Sequence, residues 1–127
     1  MQRILSFRDL IAWQRAMELA DRIYDLTEKF PSREWFGLAF QLRKSAVSIP
    51  SNIAEGHRLG TRSYAHHLKI ALGSHAELDT QCEIATRRKF LSELHRRRLN
   101  KLLGEVGRLT YGLHHSVEAS AQDETNP

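Results

Sequence analysis

Apolar residues recur at alternating spacings of three and four along four stretches of the chain, the pattern of helices that bury one face. The first stretch runs from Asp9 to Phe30 and the second from Arg33 to Glu55. The third runs from Ser63 to Lys89, and the fourth begins after Ser92 and keeps its apolar seam to about Val117. Because no stretch shows the period of two that marks a strand, the pattern predicts four helices and no sheet.

The four stretches are similar in length, about 22–27 residues or about 33–40 Å at 1.5 Å per residue, and short loops join them. Such helices pack with sequence neighbours running in opposite directions. The sequence therefore predicts a single all-α domain over residues 1–117, an antiparallel up-down-up-down four-helix bundle. The segment 118–127, EASAQDETNP, is polar and acidic, and we expect it to be a disordered tail.

A proline, Pro50, lies inside the second stretch, within SAVSIPSNIAEG. Proline in a helix removes a hydrogen bond and clashes with the carbonyl group four residues back, at a cost of about 3 kcal/mol. The apolar rhythm nevertheless continues in phase from Ala46 through Ile49 to Ile53. Ile49 would also be a poor N-cap for a helix that restarted at the proline. We therefore predict one helix, kinked at Pro50 and closed by Gly56.

Composition limits the class of protein rather than the fold. The 127 residues are 41% hydrophobic and 27% charged, as in folded domains, and no apolar run approaches the roughly 20 residues of a membrane span. The N-terminal MQRILSFRDL lacks the pattern of a signal peptide. Cys82 is the only cysteine, which excludes an internal disulfide and a cysteine-based zinc site. We expect a cytoplasmic protein without membrane contact.

Positive charge is concentrated in one segment of the chain. The net charge is +4, but eight Lys or Arg face two Glu between Arg87 and Arg108, a local excess of six. In an up-down bundle the first and third loops lie at one end, so Lys29 and Arg33 converge with the start of this segment. The run Arg96–Arg98 falls near the beginning of the fourth helix, where the helix dipole disfavours cations. Phosphate binding would explain such a placement, whereas stability alone would not.

This segment supplies the candidate nucleic-acid-binding residues. Phe90 is the only aromatic residue interleaved with the cations, so contacts to phosphates are expected rather than base stacking. The alternative is that the same charges form a solvated, solubilising end of the bundle. The candidates are Arg87, Arg88, Lys89, Arg96, Arg97, Arg98, Lys101 and Arg108.

Signatures of enzymes are missing from the sequence. There is no HExxH motif, no Glu-x-x-His pair of the di-iron bundles, no phosphate-binding loop and no serine elbow. Four histidines form the adjacent pairs His66–His67 and His114–His115 at one end of the bundle. Adjacent helical residues point about 100° apart, so each pair could offer about one ligand to an adventitious metal. We expect no catalytic centre, no required metal and no cofactor.

Three segments of the chain resemble a known family. They are FRDLIAWQRAMELADRIYDLTEKFP, EWFGLAFQLRKSAVSIPSNIAEG and IALGSHAELDTQCEIA, and they are similar to the 23S ribosomal RNA intervening-sequence proteins, also called the four-helix-bundle protein family. The resemblance covers about Phe7 to Ala85 and extends to the fourth helix in pattern only. Members are short bacterial proteins, some encoded within inserts of 23S ribosomal RNA genes.

The resemblance carries expectations about partners. Related accessory proteins of diversity-generating retroelements form homopentamers that bind nucleic acid, and the family has no established enzymatic activity. A homopentamer that binds RNA or DNA is therefore implied for this chain. Arg43 and Arg62, which lie near QLRKSAVSIPSNIAEG, become secondary candidates for nucleic-acid contact. The cluster Arg87–Lys89 is not a family feature, so its interpretation rests on charge alone.

A second apolar stripe of the first helix independently favours self-association. It lies beside the core seam and gives this helix more apolar surface than one seam needs, as at subunit interfaces. The stripe contains Trp13, Met17, Ala20 and Tyr24. We thus predict a non-enzymatic homo-oligomeric bundle that binds RNA or DNA through a basic surface, largely through phosphates. The alternative is a protein–protein adaptor or structural oligomer that meets an acidic partner through the same surface.

Overall fold

The computed structural model describes residues 3–125, which form α1 (Ile11–Thr27), α2 (Leu38–Leu59), α3 (Thr61–Arg87) and α4 (Glu93–Thr125). Short 3-10 helices at Phe7–Asp9 and Ser32–Glu34 precede α1 and α2. Residues 3–125 contain no strand. The prediction of an all-α four-helix fold is confirmed.

Each helix packs against its neighbours in sequence, and α4 closes the bundle against α1. Contacts between α2 and α3 join Ser48 to Ser74 and Asn52 to His67, so positions rise along one helix as they fall along the other. At the α1–α2, α3–α4 and α1–α4 interfaces, residue numbers likewise rise along one helix as they fall along the other. Neighbouring helices therefore run in opposite directions. No helix in residues 3–125 is long and apolar enough to cross a bilayer.

The core consists of the seams that the apolar rhythm identified. Burial of each Leu or Ile contributes about 1.5–3 kcal/mol, so this layer dominates the stability of the bundle. Trp35 is in phase with the apolar rhythm of the second stretch, but it is 55% exposed because it precedes the start of α2 at Leu38. The largest fully buried apolar side chains are Leu19, Ile23, Leu42, Ile49, Ile53, Leu68, Leu78, Leu99 and Val106.

Helix α2 continues through Pro50, which is buried. The Asn52 side-chain amide donates hydrogen bonds to the Ser48 carbonyl oxygen at 2.8 Å and to the Ser48 hydroxyl at 3.0 Å. These bonds tie the Asn52 side chain to the helical turn that precedes the proline. The prediction that Pro50 does not end the helix is confirmed, and the kink itself stays a prediction.

The prediction that Gly56 closes α2 is wrong, because the helix runs on to Leu59. Gly56 is buried, and a Cβ there would lie 2.9 Å from the Cβ of His67 and 3.1 Å from the Cα of Tyr64. This glycine therefore lets α2 and α3 approach closely. The end of α2 is set instead by Gly60, whose φ of 107° favours a residue without a Cβ.

Helix α4 extends beyond the expected end of the bundle. We expected disorder from residue 118, but the structure continues α4 to Thr125. No proline or glycine interrupts residues 113–125, and their Ala, Glu and Gln residues are good helix formers. The last two residues of the expected tail, Asn126 and Pro127, lie outside the described part of the chain.

Candidate functional site

The loops after α1 and α3 meet at one end of the bundle, as the topology predicts. The Phe30 and Phe90 rings lie 5.7 Å apart, and the Arg33 guanidinium lies 5.7 Å from the centre of the Phe90 ring. The Phe90 ring is half-buried beneath these contacts, so it is a support for the loops rather than an open stacking surface. Four exposed cations, which we call the basic end, surround this junction: Arg33, Arg87, Arg88 and Lys89.

Lys89 has a left-handed backbone, with φ of 64°. The turn that it forms closes α3, since the Lys89 amide donates to the Thr86 carbonyl at 3.0 Å and the Phe90 amide to the Ala85 carbonyl at 2.9 Å. This conformation costs a residue with a Cβ about 1–2 kcal/mol, and glycine is the residue favoured here. The chain thus carries a cation at a position where stability favours glycine, as happens at functional sites.

The other cations of the α3 terminus differ in their partners. The Arg87 Nε donates to the Glu83 carboxylate at 2.9 Å, an exposed pair one helical turn apart. Exposed pairs of this kind contribute about 0.3–0.5 kcal/mol, so Arg87 can exchange this partner for another anion. Arg88, Lys89 and Arg33 have no ion pair within residues 3–125.

Arg96 differs from the other candidates because it is engaged within the fold. Its side chain is only 12% exposed, and its Nη2 donates to the Asp79 carboxylate at 2.5 Å, joining α4 to α3. Position 96 lies three residues before the buried Leu99, so its side chain begins on the core side of α4. Burial raises the pKa of the neighbouring Cys82 thiol to about 11, although the Arg96 charge opposes the change.

Arg43 is also engaged within the fold. Its Nε donates to the buried Thr27 hydroxyl at 2.8 Å, and its guanidinium lies 4.6 Å from the centre of the Tyr24 ring. These contacts join α2 to α1, and they leave the side chain only partly exposed. Arg62 is exposed in the first turn of α3. The length of α3 separates Arg62 from Arg87 by about 37 Å at 1.5 Å per residue, so Arg62 belongs to the opposite end.

The remaining candidates form an exposed row along α4. Arg97, Lys101 and Arg108 share one face of the helix because they are separated by whole turns. The Arg108 guanidinium lies back over Gly104, with Nη1 3.1 Å from the position that a Cβ would take. Arg98 and Lys101 also line a groove between α4 and α1. The structure therefore divides the candidates into the basic end, the internal Arg96 and an α4 row. The α4 row consists of Arg97, Arg98, Lys101 and Arg108.

Sequence spacing missed one member of this surface. The i,i+4 spacing of supportive pairs favours contacts of Glu18 with Arg22 and of Asp25 with Lys29. Glu18 instead accepts from Arg15 at 2.7 Å, and neither expected pair forms within the described chain. Arg22 is consequently an exposed cation beside Arg98 and Lys101. Spacing alone could not choose between two arginines that both lie within reach of one glutamate.

The second stripe of α1 is only partly covered. Ala20 is buried and Trp13 packs against Phe7 at 5.4 Å between ring centres, whereas Met17 and Tyr24 stay about two-fifths exposed. With exposed Val47 of α2 they border a cleft of about 450 Å³. Phe36, Trp35 and Phe40 add further exposed aromatic surface near the loop before α2.

The histidine pairs are placed by hydrogen bonds and ring contacts. The His66 and His67 rings lie 5.6 Å apart, and the His67 Nδ1 lies 2.9 Å from the Asn52 side-chain oxygen. The His114 Nε2 lies 3.2 Å from the Glu118 carboxylate. In the described part of the chain, no three His, Cys, Asp or Glu side chains are grouped as a metal site would require.

Comparisons with known proteins bear on the fold and on the family. The sequence matches the family described as 23S rRNA-intervening sequence protein over residues 8–112. The structure is similar to a crystal structure of a protein of unknown function from the S23 ribosomal protein family of Bacteroides thetaiotaomicron. The TM-score is 0.76 and the identity 21%, over 83% of this chain and 96% of that one. No curated protein is significantly similar.

Proposed function

This chain belongs to the 23S rRNA-intervening sequence protein family, and we propose that it is a non-enzymatic, homo-oligomeric bundle that binds RNA or DNA. The contacts are made mainly to phosphates, by the basic end and by the exposed cations of α4. The proposal includes no catalytic step and no cofactor, and it assumes a cytoplasmic setting.

The observation that carries the proposal is the conformation of Lys89. A glycine at φ of 64° would avoid the steric cost, and yet the chain has a lysine there, next to Arg88 and across from Arg33. Three exposed cations without ion pairs in residues 3–125 then occupy one end of the bundle. Such a cluster attracts a polyanion, because each phosphate contact releases condensed counterions.

The ligand is contacted through its backbone rather than its bases. Phe90, the aromatic residue interleaved with these cations, offers no open stacking surface, since its ring packs against Phe30 and lies beneath Arg33. Cations without stacking partners bind phosphates of any sequence, so selectivity comes from the shape of the nucleic acid. This argument favours a structured RNA or a DNA duplex, whose phosphates are held in fixed positions.

Self-association is supported by the exposed apolar surface of α1 and α2. Met17, Tyr24 and Val47 border the cleft between these helices, and Phe36 is 94% exposed. An oligomer would repeat the basic end in each copy and raise affinity through multivalency. The number five comes from the family resemblance. Sedimentation equilibrium at micromolar concentration tests both statements, since a monomer would contradict self-association and a dimer would contradict the pentamer.

The experiment for nucleic-acid binding is a salt titration of a labelled RNA hairpin and a labelled DNA duplex. It compares the wild type with the double variant Arg88→Ala/Lys89→Ala. On duplex DNA each lost phosphate contact lowers the slope of log affinity against log salt by about 0.9, so the double variant should lose about 1.8. The matched control, Arg58→Ala/Lys69→Ala, removes two exposed cations far from the basic end and should keep the wild-type slope.

Two outcomes would contradict the proposal. Equal slopes for the two double variants would mean that general charge, rather than the basic end, is responsible for binding. Absence of wild-type binding to either nucleic acid at low salt would leave the second candidate, an adaptor that meets an acidic protein. The exposed Trp35 and Phe36 beside Arg33 favour that candidate, because aromatic and arginine side chains are enriched at protein interfaces.

A further inference from the structure

A groove of about 420 Å³ runs between α1 and α4, on the side of the bundle next to the basic end. The groove begins one to two turns into α4. At 1.5 Å per residue, Arg98 lies about 8 Å and Lys101 about 12 Å from the helix start at Glu93. The charged residues that line it are Arg15, Glu18, Arg22, Arg98, Lys101 and Glu105.

Both carboxylates of the groove are held by a single arginine. The Arg15 Nη1 donates to Glu18 at 2.7 Å, and the Arg15 Nε donates to Glu105 at 2.9 Å across the helix interface. The hydrogen bond to Glu105 and the charges of both glutamates raise the pKa of Arg15. Arg15 of α1 thus engages both negative groups of the groove.

The other three cations are left without a partner. Arg22 from α1 and Arg98 and Lys101 from α4 are all exposed, and none forms an ion pair within residues 3–125. Four cations against two carboxylates leave the groove with an excess of two positive charges. Two helices contribute these cations, so the groove presents them from both walls to an anion lying between.

We propose that this groove binds a backbone phosphate of the nucleic acid, with Arg22, Arg98 and Lys101 as direct contacts and Arg15 as the positioning residue that holds Glu18 and Glu105. The inference rests on the proposed function and extends it. The groove lies about 8–12 Å along α4 from Glu93, so one nucleic-acid backbone can contact both the basic end and the groove. The ligand is therefore a continuous backbone rather than a mononucleotide.

The test compares Arg22→Gln with Lys69→Gln, an exposed cation of α3 outside the groove, in the same salt titration of duplex DNA. Arg22 is exposed and unpaired in the described chain, so its replacement should leave helicity and melting temperature unchanged. Loss of one phosphate contact should lower the slope by about 0.9, which corresponds to about an eightfold loss of affinity at 0.1 M salt. Lys69→Gln should match the wild type.

A second variant changes affinity in the opposite direction. Glu105→Gln removes one negative charge from the groove and should strengthen duplex binding, while a carboxylate with only a structural role would give lower stability and no gain. Wild-type binding with Arg22→Gln equal to Lys69→Gln would overturn this inference and leave the proposed function standing. No wild-type binding at low salt would overturn both.

Discussion

Replacing Lys89 with glycine should stabilise the protein and weaken its binding to nucleic acid. Lys89 has φ of 64° at the end of α3, where a Cβ costs about 1–2 kcal/mol. Glycine removes this cost but adds about 0.4–1 kcal/mol of chain entropy to the unfolded state. The difference predicts a net gain of about 0.5–1 kcal/mol for Lys89→Gly.

The gain can be measured by urea unfolding followed through helical circular dichroism. With a slope of about 2 kcal/mol per molar urea, the midpoint should rise by about 0.3–0.5 M. The melting temperature should rise by about 2–4 °C. Protein concentration must be equal in all samples, because the stability of an oligomer depends on the concentration of its subunits.

The same variant removes one cation of the basic end. The slope of log affinity against log salt for duplex DNA should therefore fall by about 0.9. Lys89→Ala separates the two effects, because alanine keeps the Cβ and its steric cost while losing the charge. It should share the loss of slope without the gain in stability. A destabilised Lys89→Gly, or a stabilised one that binds like the wild type, would refute the argument that this strain is retained for phosphate contact.

Four further predictions follow from contacts in the bundle. Gly56→Ala should destabilise the protein by about 1–3 kcal/mol in thermal melting, because the new Cβ meets the Cβ of His67 at 2.9 Å; an unchanged melting temperature would show that α2 and α3 can separate without cost. Arg96→Ala should cost about 1–3 kcal/mol through loss of its charged hydrogen bond to Asp79 and keep the wild-type salt slope, whereas Arg97→Ala should lower the slope and keep the stability. Cys82 is buried with a pKa raised to about 11, so an aromatic disulfide reagent at pH 8 should label it slowly in the native protein and fast in urea; rapid native labelling would contradict its burial. The Asp9 carboxylate accepts hydrogen bonds from the Leu5 and Ser6 amides, which lower its pKa below 3.8. The stability that Asp9 contributes is therefore present above the pKa of the unfolded state and is lost as pH falls through the pKa of the folded state. An NMR titration midpoint at or above 3.8 would be inconsistent with these bonds.

The seams were predictable because burial alone decides them. Leu42, Ile49 and Ile53 are fully buried at the positions that the apolar rhythm identified, and the rhythm also carried the helix through Pro50. Helix ends were less predictable, since a glycine can end a helix or admit a close neighbour. Choosing between these roles at Gly56 required the positions of Tyr64 and His67, which only the tertiary structure supplies.

The same distinction applies to the candidate site. Topology and short loops predicted that the loops after α1 and α3 would meet, and Phe30 and Phe90 do so. Charge alone treated the run of three arginines in α4 as equivalent, although Arg96 faces α3 while Arg97 and Arg98 face outward. Its spacing of three residues from the seam residue Leu99 was the signal that could have separated it.

A single residue, Gly60, separates α2 from α3, and this bears on the order of folding. The entropy lost on closing a loop grows with its length, so the α2–α3 pairing is the least demanding tertiary contact for the chain to form. We expect this helical hairpin to be structured in the transition state, with α1 and α4 docking on it afterwards. Substitutions at the Ser48–Ser74 contact should then slow folding, whereas substitutions at the Arg15–Glu105 contact should mainly accelerate unfolding.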